Sequence, residues 1–519
     1  MKSLFIDGVY LFNWFVLVYF FALNLCYLLF LVISRWAMRE YNLEHKLAEG
    51  SSLPRYFQKP FTILVPGYNE ENTIVDSVHS LVQLDYPEYE VVVINDGSRD
   101  QTFELLHRAY ELVKVDVTLS SHFPSKTVRG IYYSRSYPRL TVVDKENGGK
   151  SDAYNAGANA ARYPYVCCVD ADSLLSGDSM FKLMRQFVIS PFIVGIGGIV
   201  RLSNGCTIRD GQVTRIRMPG KVVEKIQVVE YLRAFLFGRL GWSRLNILMI
   251  ISGAFGVFRQ DILRDLGGWS TSSVVEDMEL VLRMQKTIYR ERPQDRLAFA
   301  PDPICWTQAP DSLKGLSTQR ERWQRGLMDT LLRNVGVLFN IRYRRLGLLG
   351  YPYFFFFEFL GPLIEVFGYV IVFASYFLGI LDIGFLLLFL AVAILWGMFV
   401  SLFAVALEES TYHRYESAKD LLWMIAAAVL ENFGYRQLHS LWRLKGMIKY
   451  VLGKRSGWGT KGKGALTGHP EIDSQFVGWA RPTMFVAAWL FGGLYTPKPS
   501  AGTSGSRYEI ARSVTMVWS

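Results

Sequence analysis

The first long apolar segment of the chain lies at its N-terminus. Val9 to Ile33 are 25 consecutive uncharged residues, enough to cross about 30 Å of hydrocarbon at a helical rise of about 1.5 Å per residue. A cleaved signal peptide would have a shorter apolar core followed by small residues, whereas Arg35 and Arg39 follow here. The pattern predicts a transmembrane anchor over residues 1–34, and these cations predict that its C-terminal end lies in the cytoplasm.

A second apolar block occupies residues 346–410. Val366 to Leu407 contains a single charged residue, Asp382, so we expect a transmembrane hairpin with a tight turn around Asp382. Glu358 and Glu365 are seven residues apart and share one helix face. These carboxylates lie near the lipid headgroups or line a polar path through the bilayer, and the sequence leaves both alternatives open.

The chain after this block changes composition twice. Residues 411–453 contain an apolar stretch from Leu421 to Leu430, followed by cations at amphipathic spacing up to Lys449. An interfacial helix would keep these cations at the cytoplasmic surface and is favoured, but a third membrane helix stays open. Residues 454–519 are rich in Gly, Ser and basic residues, which predicts a loop-rich and partly disordered tail.

Residues 35–345, between the two apolar blocks, alternate between two patterns. The strands predicted from short runs rich in Val and Ile are Phe61 to Val65, Glu90 to Ile94, Leu140 to Val143 and Tyr165 to Val169. The amphipathic helices predicted between them are Glu71 to Leu84, Gln101 to Val113 and Lys150 to Arg162. This alternation predicts an α/β domain with a mostly parallel sheet, whose ligands bind beyond the carboxyl ends of the strands.

Composition supports a membrane protein. Hydrophobic residues make up 50% of the 519 residues and aromatic residues 15%, which is high for a soluble protein. The net charge of +10 is typical here of cytoplasmic faces beside anionic lipid rather than of nucleic-acid binding. The five cysteines show no C-x-x-C spacing and are predicted to be reduced thiols. The sequence lacks a dinucleotide-binding glycine motif, a P-loop and a Ser-His-Asp arrangement, which argues against those sites.

Carboxylates directly follow two of the predicted strands. Asp96 follows the second strand and is a candidate for hydrogen bonding to a nucleoside; Asp170 and Asp172 follow the fourth. Asp170 and Asp172 repel each other unless a divalent cation lies between them, and Mg²⁺ or Mn²⁺ prefers such oxygen ligands. A turn or helix cap is the alternative for each carboxylate. Lys150 begins a predicted helix, where its ammonium favours a diphosphate, and a solvated lysine is the alternative.

Two later motifs supply further candidate groups. Glu276 and Asp277 begin a predicted helix, where an acidic pair most often complements the helix dipole. A carboxylate in this position can also act as the base for an attacking hydroxyl. Gln319, Arg322 and Trp323 combine a guanidinium suited to a diphosphate with an indole face suited to a sugar. Trp323 is equally suited to anchoring the chain at a membrane surface.

Several motifs follow one another along residues 61–325. They are FTILVPGYNEE, VVVINDGSRD, DKENGGKSDAYNAG, VCCVDADS, SGAFGVFR, VVEDMEL and QRERW. As an ordered set they resemble the family 2 inverting glycosyltransferases, and more narrowly the processive membrane synthases of cellulose, hyaluronan, chitin and poly-N-acetylglucosamine. The resemblance implies a GT-A-type, Rossmann-like cytosolic domain inserted between transmembrane helices, with interfacial helices at its C-terminal end. It implies transfer from a UDP-sugar, with UDP-N-acetylglucosamine or UDP-glucose favoured, to extend a β-linked polysaccharide processively and move it across the membrane.

The resemblance also implies roles for individual residues. Those implied to bind the donor nucleotide are Tyr68, Glu70, Asp96, Lys150 and Asp170. Those implied near the acceptor and the diphosphate are Gln319, Arg322, Trp323 and Gly253. Asp277 is the implied general base, Glu276 supports it, and Asp172 is the implied ligand of Mg²⁺ or Mn²⁺.

The implied partners are a UDP-sugar, a growing polysaccharide or a lipid acceptor, membrane lipid and, as an open option, an accessory export subunit; nucleic acid is not among them. The implied location is the plasma membrane, the bacterial inner membrane, as a multi-pass protein with a cytoplasmic catalytic domain. The sequence departs from the family pattern in having one preceding span, Val275 where relatives commonly have Thr, and no cyclic-dinucleotide-binding barrel. A non-processive transferase that adds one sugar to a lipid carrier and a non-catalytic export channel are the alternatives.

Overall fold

The computed structural model describes residues 2–49, 58–415 and 417–453, so the predicted tail over 454–519 lies outside the described residues. The strands are β1 Phe61–Gly67, β2 Tyr89–Asn95, β3 Leu112–Val115, β4 Val128–Ser134, β5 Leu140–Lys145, β6 Tyr165–Val169, β7 Ser173–Leu175, β8 Ile193–Leu202, β9 Thr207–Arg209, β10 Gln212–Arg215, β11 Phe255–Arg259 and β12 Arg296–Thr307.

The α-helices are α1 Lys2–Glu49, α2 Ile74–Val82, α3 Thr102–Ala109, α4 Lys150–Ala160, α5 Ser179–Ile189, α6 Val222–Tyr231, α7 Arg239–Arg244, α8 Gln260–Asp265, α9 Glu276–Glu291, α10 Leu313–Arg333, α11 Tyr351–Tyr353, α12 Gly361–Phe377, α13 Ile383–Leu390, α14 Trp396–Tyr412, α15 Ala418–Leu430 and α16 Arg436–Val451. Wider π-helical turns join several of them, at Leu232–Gly238, Leu346–Gly350, Phe354–Phe359, Ala391–Leu395 and Glu431–Tyr435.

A ten-stranded mixed sheet forms the core of the α/β part, in the order β3-β4-β5-β2-β1-β6-β11-β8-β12-β7. Its central strands β5, β2, β1 and β6 are parallel to one another. β1 and β2 are buried at every position, as continuous Val- and Ile-rich strands are when helices cover both faces of a parallel sheet. The predicted α/β domain with its mostly parallel sheet is therefore confirmed in this central region, and β4 and β11 attach further strands in antiparallel pairing.

The strand order reverses at the centre of the sheet. The chain places β2 and β5 on one side of β1 and β6 on its other side. In open α/β sheets this reversal leaves a crevice beyond the carboxyl ends of the strands, which is where ligands bind. The loops that follow β1, β2, β5 and β6 meet at this edge.

All three helices predicted in the α/β part are longer than α2, α3 and α4, and one of them overlaps a strand. The helix predicted over Gln101 to Val113 is wrong at its end, because α3 stops at Ala109 and Leu112–Val115 forms strand β3. Glu111 has a positive φ of 47°, which breaks the helical path. β3 then pairs with β4, so tertiary pairing overrides the local helical pattern.

Among the described residues, two helical stretches are long and apolar enough to cross a membrane, Phe5–Leu43 and Ile383–Tyr412. Leu346–Phe359 and Gly361–Phe377 meet the same test together but are bent by 45°, and Pro362 at the start of the second helix accounts for the bend.

Side-chain hydrogen bonds join α1 to the C-terminal helices. The Asn13 amide donates to Ser375 Oγ at 3.1 Å, and the Asn24 amide donates to the carbonyl of Val392 at 3.0 Å. Both asparagines are buried within an otherwise apolar helix. In lipid such side chains are satisfied by neighbouring helices, so these bonds fix α1 against α12 and the helix that leads into α14.

The region predicted as an interfacial or third membrane helix consists of two helices, α15 and α16. They are joined at a break where Phe433 and Gly434 leave helical geometry. Glu431 at the break accepts hydrogen bonds from Arg233 and from Ser401 in the middle of α14. α15 thus runs back along α14 for about 20 Å at about 1.5 Å per residue, and α16 then returns. We call α15, the break and α16 the α15–α16 hairpin.

The two carboxylates of the bent helix pair contact α16. Arg443 donates to Glu358 Oε2 at 3.1 Å, and Ser440 donates to Glu365. Nearer its C-terminal end, Lys445 pairs with Glu321 of α10 at 2.7 Å. The structure therefore places the cations of α16 against carboxylates of α10 and of the bent pair, a long-range pairing that helical periodicity alone does not encode.

Candidate active site

The predicted donor residues lie at the carboxyl edge of the parallel strands. Tyr68 and Glu70 follow β1, Asp96 follows β2, Lys150 begins α4 after β5, and Asp170 follows β6. Parallel strands end at the same edge of a sheet, so the fold gathers these residues from positions 102 residues apart in the chain.

The loops after β1 and β2 are bonded to each other. The backbone N–H of Asn69 donates to Ser98 Oγ at 3.1 Å, and the N–H of Glu70 donates to Thr102 Oγ1 at 2.9 Å. Thr73 Oγ1 also donates to Glu70 Oε2 at 3.1 Å. These contacts hold Glu70, and with it the Tyr68 loop, beside the loop that carries Asp96.

Asp96 is fully buried and surrounded by donors from the loop after β5. Its carboxylate accepts from Lys145 Nζ at 2.7 Å and from the backbone N–H groups of Gly148 at 3.0 Å and Gly149 at 2.8 Å. Burial raises the pKa of Asp96, and the hydrogen bond from Lys145 opposes that effect. The Asp96 carboxylate therefore holds residues 145–149 in place through these hydrogen bonds. Its contact with a nucleoside stays a prediction.

Lys145 belongs to this arrangement, and the sequence analysis did not single it out. Its side chain is completely buried and pairs with Asp96 at 2.7 Å and with Asp152 at 2.5 Å. Asp152 also accepts from the backbone N–H of Lys126 at 3.1 Å. A lysine at the end of a buried strand, in the motif DKENGGK, is a signal that could have identified it, because a lysine in that position needs a carboxylate partner.

Lys150 connects two strand ends to α9. Its ammonium lies 2.7 Å from Asp170 Oδ1 and 2.9 Å from Glu276 Oε1, and 5.6 Å from the centre of the Tyr154 ring. Although burial acts to lower it, the charges of Asp170 and Glu276 hold the pKa of Lys150 well above its usual value. Lys150 is therefore a fixed positive charge between carboxylates that are 106 residues apart in the chain.

Gly253 and Asp277 complete this group. A Cβ atom on Gly253 would lie 3.0 Å from Lys150 Nζ and 3.1 Å from Glu276 Oε1. The Gly253 N–H points to Asp277 Oδ2 at 3.4 Å, and its carbonyl accepts from the Tyr154 hydroxyl at 2.9 Å. We call the residues Lys150, Asp170, Gly253, Glu276 and Asp277 the Lys150 cluster.

The two adjacent carboxylates of the cluster titrate differently. Burial and then the charge of Glu276 raise the pKa of Asp277 to about 6. Burial also acts to raise the pKa of Glu276, but Lys150 holds it below its usual value. Two carboxylates with opposite shifts are typical of a site in which one group stays charged and the other exchanges a proton near neutral pH.

Asp170 and Asp172 are the candidate ligands for a divalent cation. Both provide carboxylate oxygens, the ligands that Mg²⁺ and Mn²⁺ prefer; Asp172 is almost fully buried, and Asp170 is 28% exposed. Among the described residues, three or more His, Cys, Asp or Glu side chains do not gather into a metal cage. The pair therefore fits a cation whose remaining ligands come from substrate phosphates.

The Gln319-to-Trp323 motif lies on α10 beside the start of α9. Gly326 contacts α9 so closely that a Cβ atom there would lie 1.7 Å from Val275 Cγ2. Arg322 lies near enough for its charge to help lower the pKa of Glu276, after the larger effect of Lys150. Gln319 is buried, and its Oε1 accepts no hydrogen bond within the described part of the chain.

Arg320 is a second residue that the sequence analysis did not single out. Its guanidinium is almost fully buried, donates to Glu230 Oε2 at 2.8 Å, and lies 4.2 Å from the centre of the Trp323 ring. Glu230 also accepts a hydrogen bond from the Tyr435 hydroxyl of the α15–α16 hairpin at 2.8 Å. Arg320 thus supports one face of Trp323 and ties α10 to the hairpin.

Two family models match the part of the chain that carries these residues. The model of the "Glycosyl transferase family 2" matches residues 62–267, from β1 to the end of α8. Residues 62–267 form a family 2 glycosyltransferase domain. The model "Glycosyl transferase family group 2" matches residues 165–405 and so extends the similarity into the apolar C-terminal helices. The family 2 prediction is confirmed for residues 62–267.

Two curated relatives are poly-beta-1,6-N-acetyl-D-glucosamine synthases. That of Staphylococcus epidermidis is 29% identical over 292 residues, which cover 56% of this chain and 58% of the relative. That of Staphylococcus aureus strain MSSA476 is 30% identical over 275 residues, or 53% of this chain and 56% of the relative. The chain thus spans somewhat more than half the length of the curated relatives it matches.

Two solved structures are also similar in part. A mannosyltransferase from Pyrobaculum calidifontis in complex with GDP-Man and Mn²⁺ has a TM-score of 0.46 at 18% identity, covering 85% of this chain and all of that one. TarS 1–349 of S. aureus has a TM-score of 0.35 at 16% identity, covering 73% of this chain and 91% of that one.

Proposed function

We propose that this chain is an inverting glycosyltransferase that uses a UDP-sugar to extend a β-linked polysaccharide processively and moves the product across a membrane. The observation that supports this most is the Lys150 cluster at the carboxyl edge of the family 2 domain. A partly buried lysine beside three carboxylates brings together a cation for a diphosphate and a candidate base within one site. The printed name of the curated relatives favours N-acetylglucosamine as the sugar, and glucose is the second candidate.

The donor nucleotide is proposed to bind over the loops after β1, β2 and β5. Tyr68 and Glu70 would contact the uridine, while Asp96 acts there with the 145–149 loop that it holds in place. Lys150 would bind the diphosphate. Its two ion pairs hold the ammonium group near the N-terminus of α4, and the N-terminus of a helix favours phosphate groups. Asp170 would contact the donor beside it.

A divalent cation, Mg²⁺ or Mn²⁺, is proposed to bind at Asp172 with Asp170 beside it. Both carboxylates would act as ligands together with phosphate oxygens of the donor. When bound, such an ion supplies positive charge that stabilises the leaving diphosphate.

Asp277 is proposed as the general base. The acceptor hydroxyl oxygen forms a bond to the anomeric carbon as the bond to UDP breaks on the opposite face, and Asp277 takes the hydroxyl proton. Its raised pKa suits a base that accepts a proton near neutral pH. Glu276 supports it by staying ionised and holding Lys150, and the Gly253 backbone lies between these side chains, near the acceptor sugar.

The α10 motif is proposed to close the site on its acceptor side. Arg322 would attract the diphosphate and Trp323, which is 37% exposed, would stack on a sugar ring. Gln319 Oε1 would accept a hydrogen bond from a sugar hydroxyl in a pocket that is otherwise buried.

Membrane placement follows from the apolar helices. We propose a multi-pass protein of the plasma membrane, the bacterial inner membrane, with residues 35–345 on the cytoplasmic side and α1, the bent pair and Ile383–Tyr412 in the bilayer. The α15–α16 hairpin would enter the bilayer from the cytoplasmic side and return to that side. Membrane lipid and a saccharide acceptor are the proposed partners; an accessory export subunit stays open, and a nucleic-acid partner is not proposed.

The test uses the full chain in lipid nanodiscs with Mn²⁺ and either UDP-N-acetylglucosamine or UDP-glucose. We expect UDP release and a polymer with one donor, and loss of both in Asp277→Asn. Asp265→Asn is the matched control, because Asp265 is an exposed carboxylate that pairs with Arg292 outside the site. Thermal melting of each variant shows whether it is folded.

The product distinguishes the proposed function from its alternatives. A lipid carrying a single sugar under donor excess would replace the polymerase by a non-processive transferase. Folded protein that releases no UDP from any UDP-sugar would favour a non-catalytic export channel. Polymer undiminished in Asp277→Asn would remove that residue as the base.

A further inference from the structure

A cavity lies away from the Lys150 cluster, between the β9–β10 hairpin and the starts of α6 and α15. Its volume is about 490 Å³. The lining groups that matter here are the cations Arg215, Arg217, Lys225 and Lys419, together with Asp420 and Trp423. None of these residues has a part in the proposed transfer reaction.

The cavity is positively charged. Its described lining residues include four cationic side chains and one carboxylate, Asp420, which accepts from the backbone N–H of Met218 at 3.3 Å. Arg215, Arg217 and Lys419 are exposed and form no ion pair with any residue in the described ranges. Cations held together in this way repel one another unless an anion lies between them.

Lys225 and Trp423 form a fixed wall of the cavity. Lys225 is 9% exposed, its ammonium lies 3.8 Å from the centre of the Trp423 ring, and it donates to the carbonyl of Gly220 at 3.1 Å. This is a short cation–π contact. A nearly buried lysine pinned in this way offers a positive charge whose position costs little further ordering when an anion binds.

The position of the cavity relates it to the membrane. Five residues separate the start of α15 from Tyr412, the end of a helical stretch long enough to span a bilayer. Trp423 is 37% exposed, and its neighbours on α15, Leu422 and Ile425, are 66% and 40% exposed. A tryptophan beside exposed aliphatic side chains at the end of a span is typical of the headgroup level. The starts of α6 and α15 add their positive dipole ends.

We propose that this cavity binds the phosphate of an anionic phospholipid headgroup, with Arg215, Arg217 and Lys419 around the phosphate and the acyl chains along the exposed face of α15. The cations supply the charge, Lys225 and Trp423 supply a rigid wall, and the apolar side chains of α15 contact the hydrocarbon. The proposal needs the helices to be embedded in a membrane and does not depend on the transfer reaction.

The test measures the thermal stability of the full chain in phosphatidylcholine nanodiscs as phosphatidylglycerol replaces part of the lipid. We expect a saturable rise in Tm for the wild type. Each cation near a phosphate changes binding by about 5-fold, so the Arg215→Gln/Arg217→Gln variant should need about 30-fold more anionic lipid for half of the effect. Lys221→Gln is the matched control, since Lys221 is an exposed cation that pairs with Asp311, and it should behave as the wild type.

Three results would overturn the proposal. One is an equal response of the double-arginine variant and the wild type. Another is an equal rise in Tm when inorganic phosphate or pyrophosphate is added to phosphatidylcholine nanodiscs, which would assign the cavity to a soluble phosphate compound. The third is fluorescence quenching by brominated phosphatidylglycerol that is unchanged in Trp423→Phe. If the double-arginine variant does not fold, the quenching measurement on Trp423→Phe and the response of Lys419→Gln to anionic lipid test the proposal instead.

Discussion

The Gly253 backbone lies against Lys150 and Glu276 of the Lys150 cluster, so Gly253→Ala is a direct probe of that geometry. The backbone of Gly253 is not in the left-handed region, and alanine can adopt its conformation without strain. The added Cβ would lie 3.0 Å from Lys150 Nζ and 3.1 Å from Glu276 Oε1, but 3.8 Å from Asp277 Cβ. The substitution therefore presses on the ion pair and leaves the base in ordinary contact.

The expected effect follows from those distances. Both polar atoms must retreat by a few tenths of an ångström, and each retreat strains the 2.7 Å and 2.9 Å ion pairs of Lys150. Misplacement of a reacting group by about 1 Å can cost about 100-fold in rate, so we expect a loss of about 10-fold in kcat for UDP release. Overpacking also costs about 1–3 kcal/mol of stability. Initial rates over a range of UDP-sugar concentrations, with melting curves, measure both quantities.

Gly336→Ala is the matched control, because a Cβ atom there meets nothing within 4 Å. It should keep both the wild-type rate and the wild-type stability. A folded Gly253→Ala protein with wild-type kcat and KM would refute the reasoning, since the Lys150–Glu276 contact would then not limit the reaction. A loss of rate that merely follows a loss of folded protein would refute it as well.

Three further outcomes are expected. The value of kcat/KM should rise with pH through about 6, because Asp277 must lose its proton to act as a base and burial raises its pKa to about 6. A pH profile of kcat/KM that is flat from pH 5 to 7 would contradict this. Lys145→Met should lower stability by about 3–5 kcal/mol in chemical unfolding, because it leaves the buried carboxylate of Asp96 without its cation, whereas an unchanged midpoint would show that water replaces the lysine. Arg320→Met should raise KM and lower kcat about 10-fold, because Trp323 loses the cation on its face, and Arg320→Lys should restore part of the rate; an unaltered KM in folded Arg320→Met would exclude this positioning role.

The central strands could be predicted because their signal is local. β1, β2, β5 and β6 each contain a short apolar run with Val, and the ends of the predicted runs lie within two residues of those of the observed strands. The polar residues directly after such runs lie at the carboxyl edge of the sheet, as predicted, and that this edge binds ligands stays a prediction. The two apolar stretches from Phe5 to Leu43 and from Ile383 to Tyr412 were predictable for the same reason.

Other features depend on pairings between distant residues. β3 is a strand because β4 lies beside it, although its sequence continues a helical pattern. Gly253 is 24 residues from Asp277 and 103 from Lys150, and only the folded chain brings the three together. Lys145 and Arg320 acquire their importance from carboxylates elsewhere in the chain.

The sequence by itself determined which chemical groups are present and on which edge of the sheet they gather, since strand patterns and the order of motifs are local properties of the chain. The tertiary structure decided what each group contacts. In the folded chain, Asp96 contacts the 145–149 loop, and Lys150 lies between Asp170 and Glu276. Residues 418–451 form the α15–α16 hairpin. The physical reason is that a buried charge is stable only beside an opposite charge or a hydrogen-bonding partner, and packing across the whole fold selects that partner.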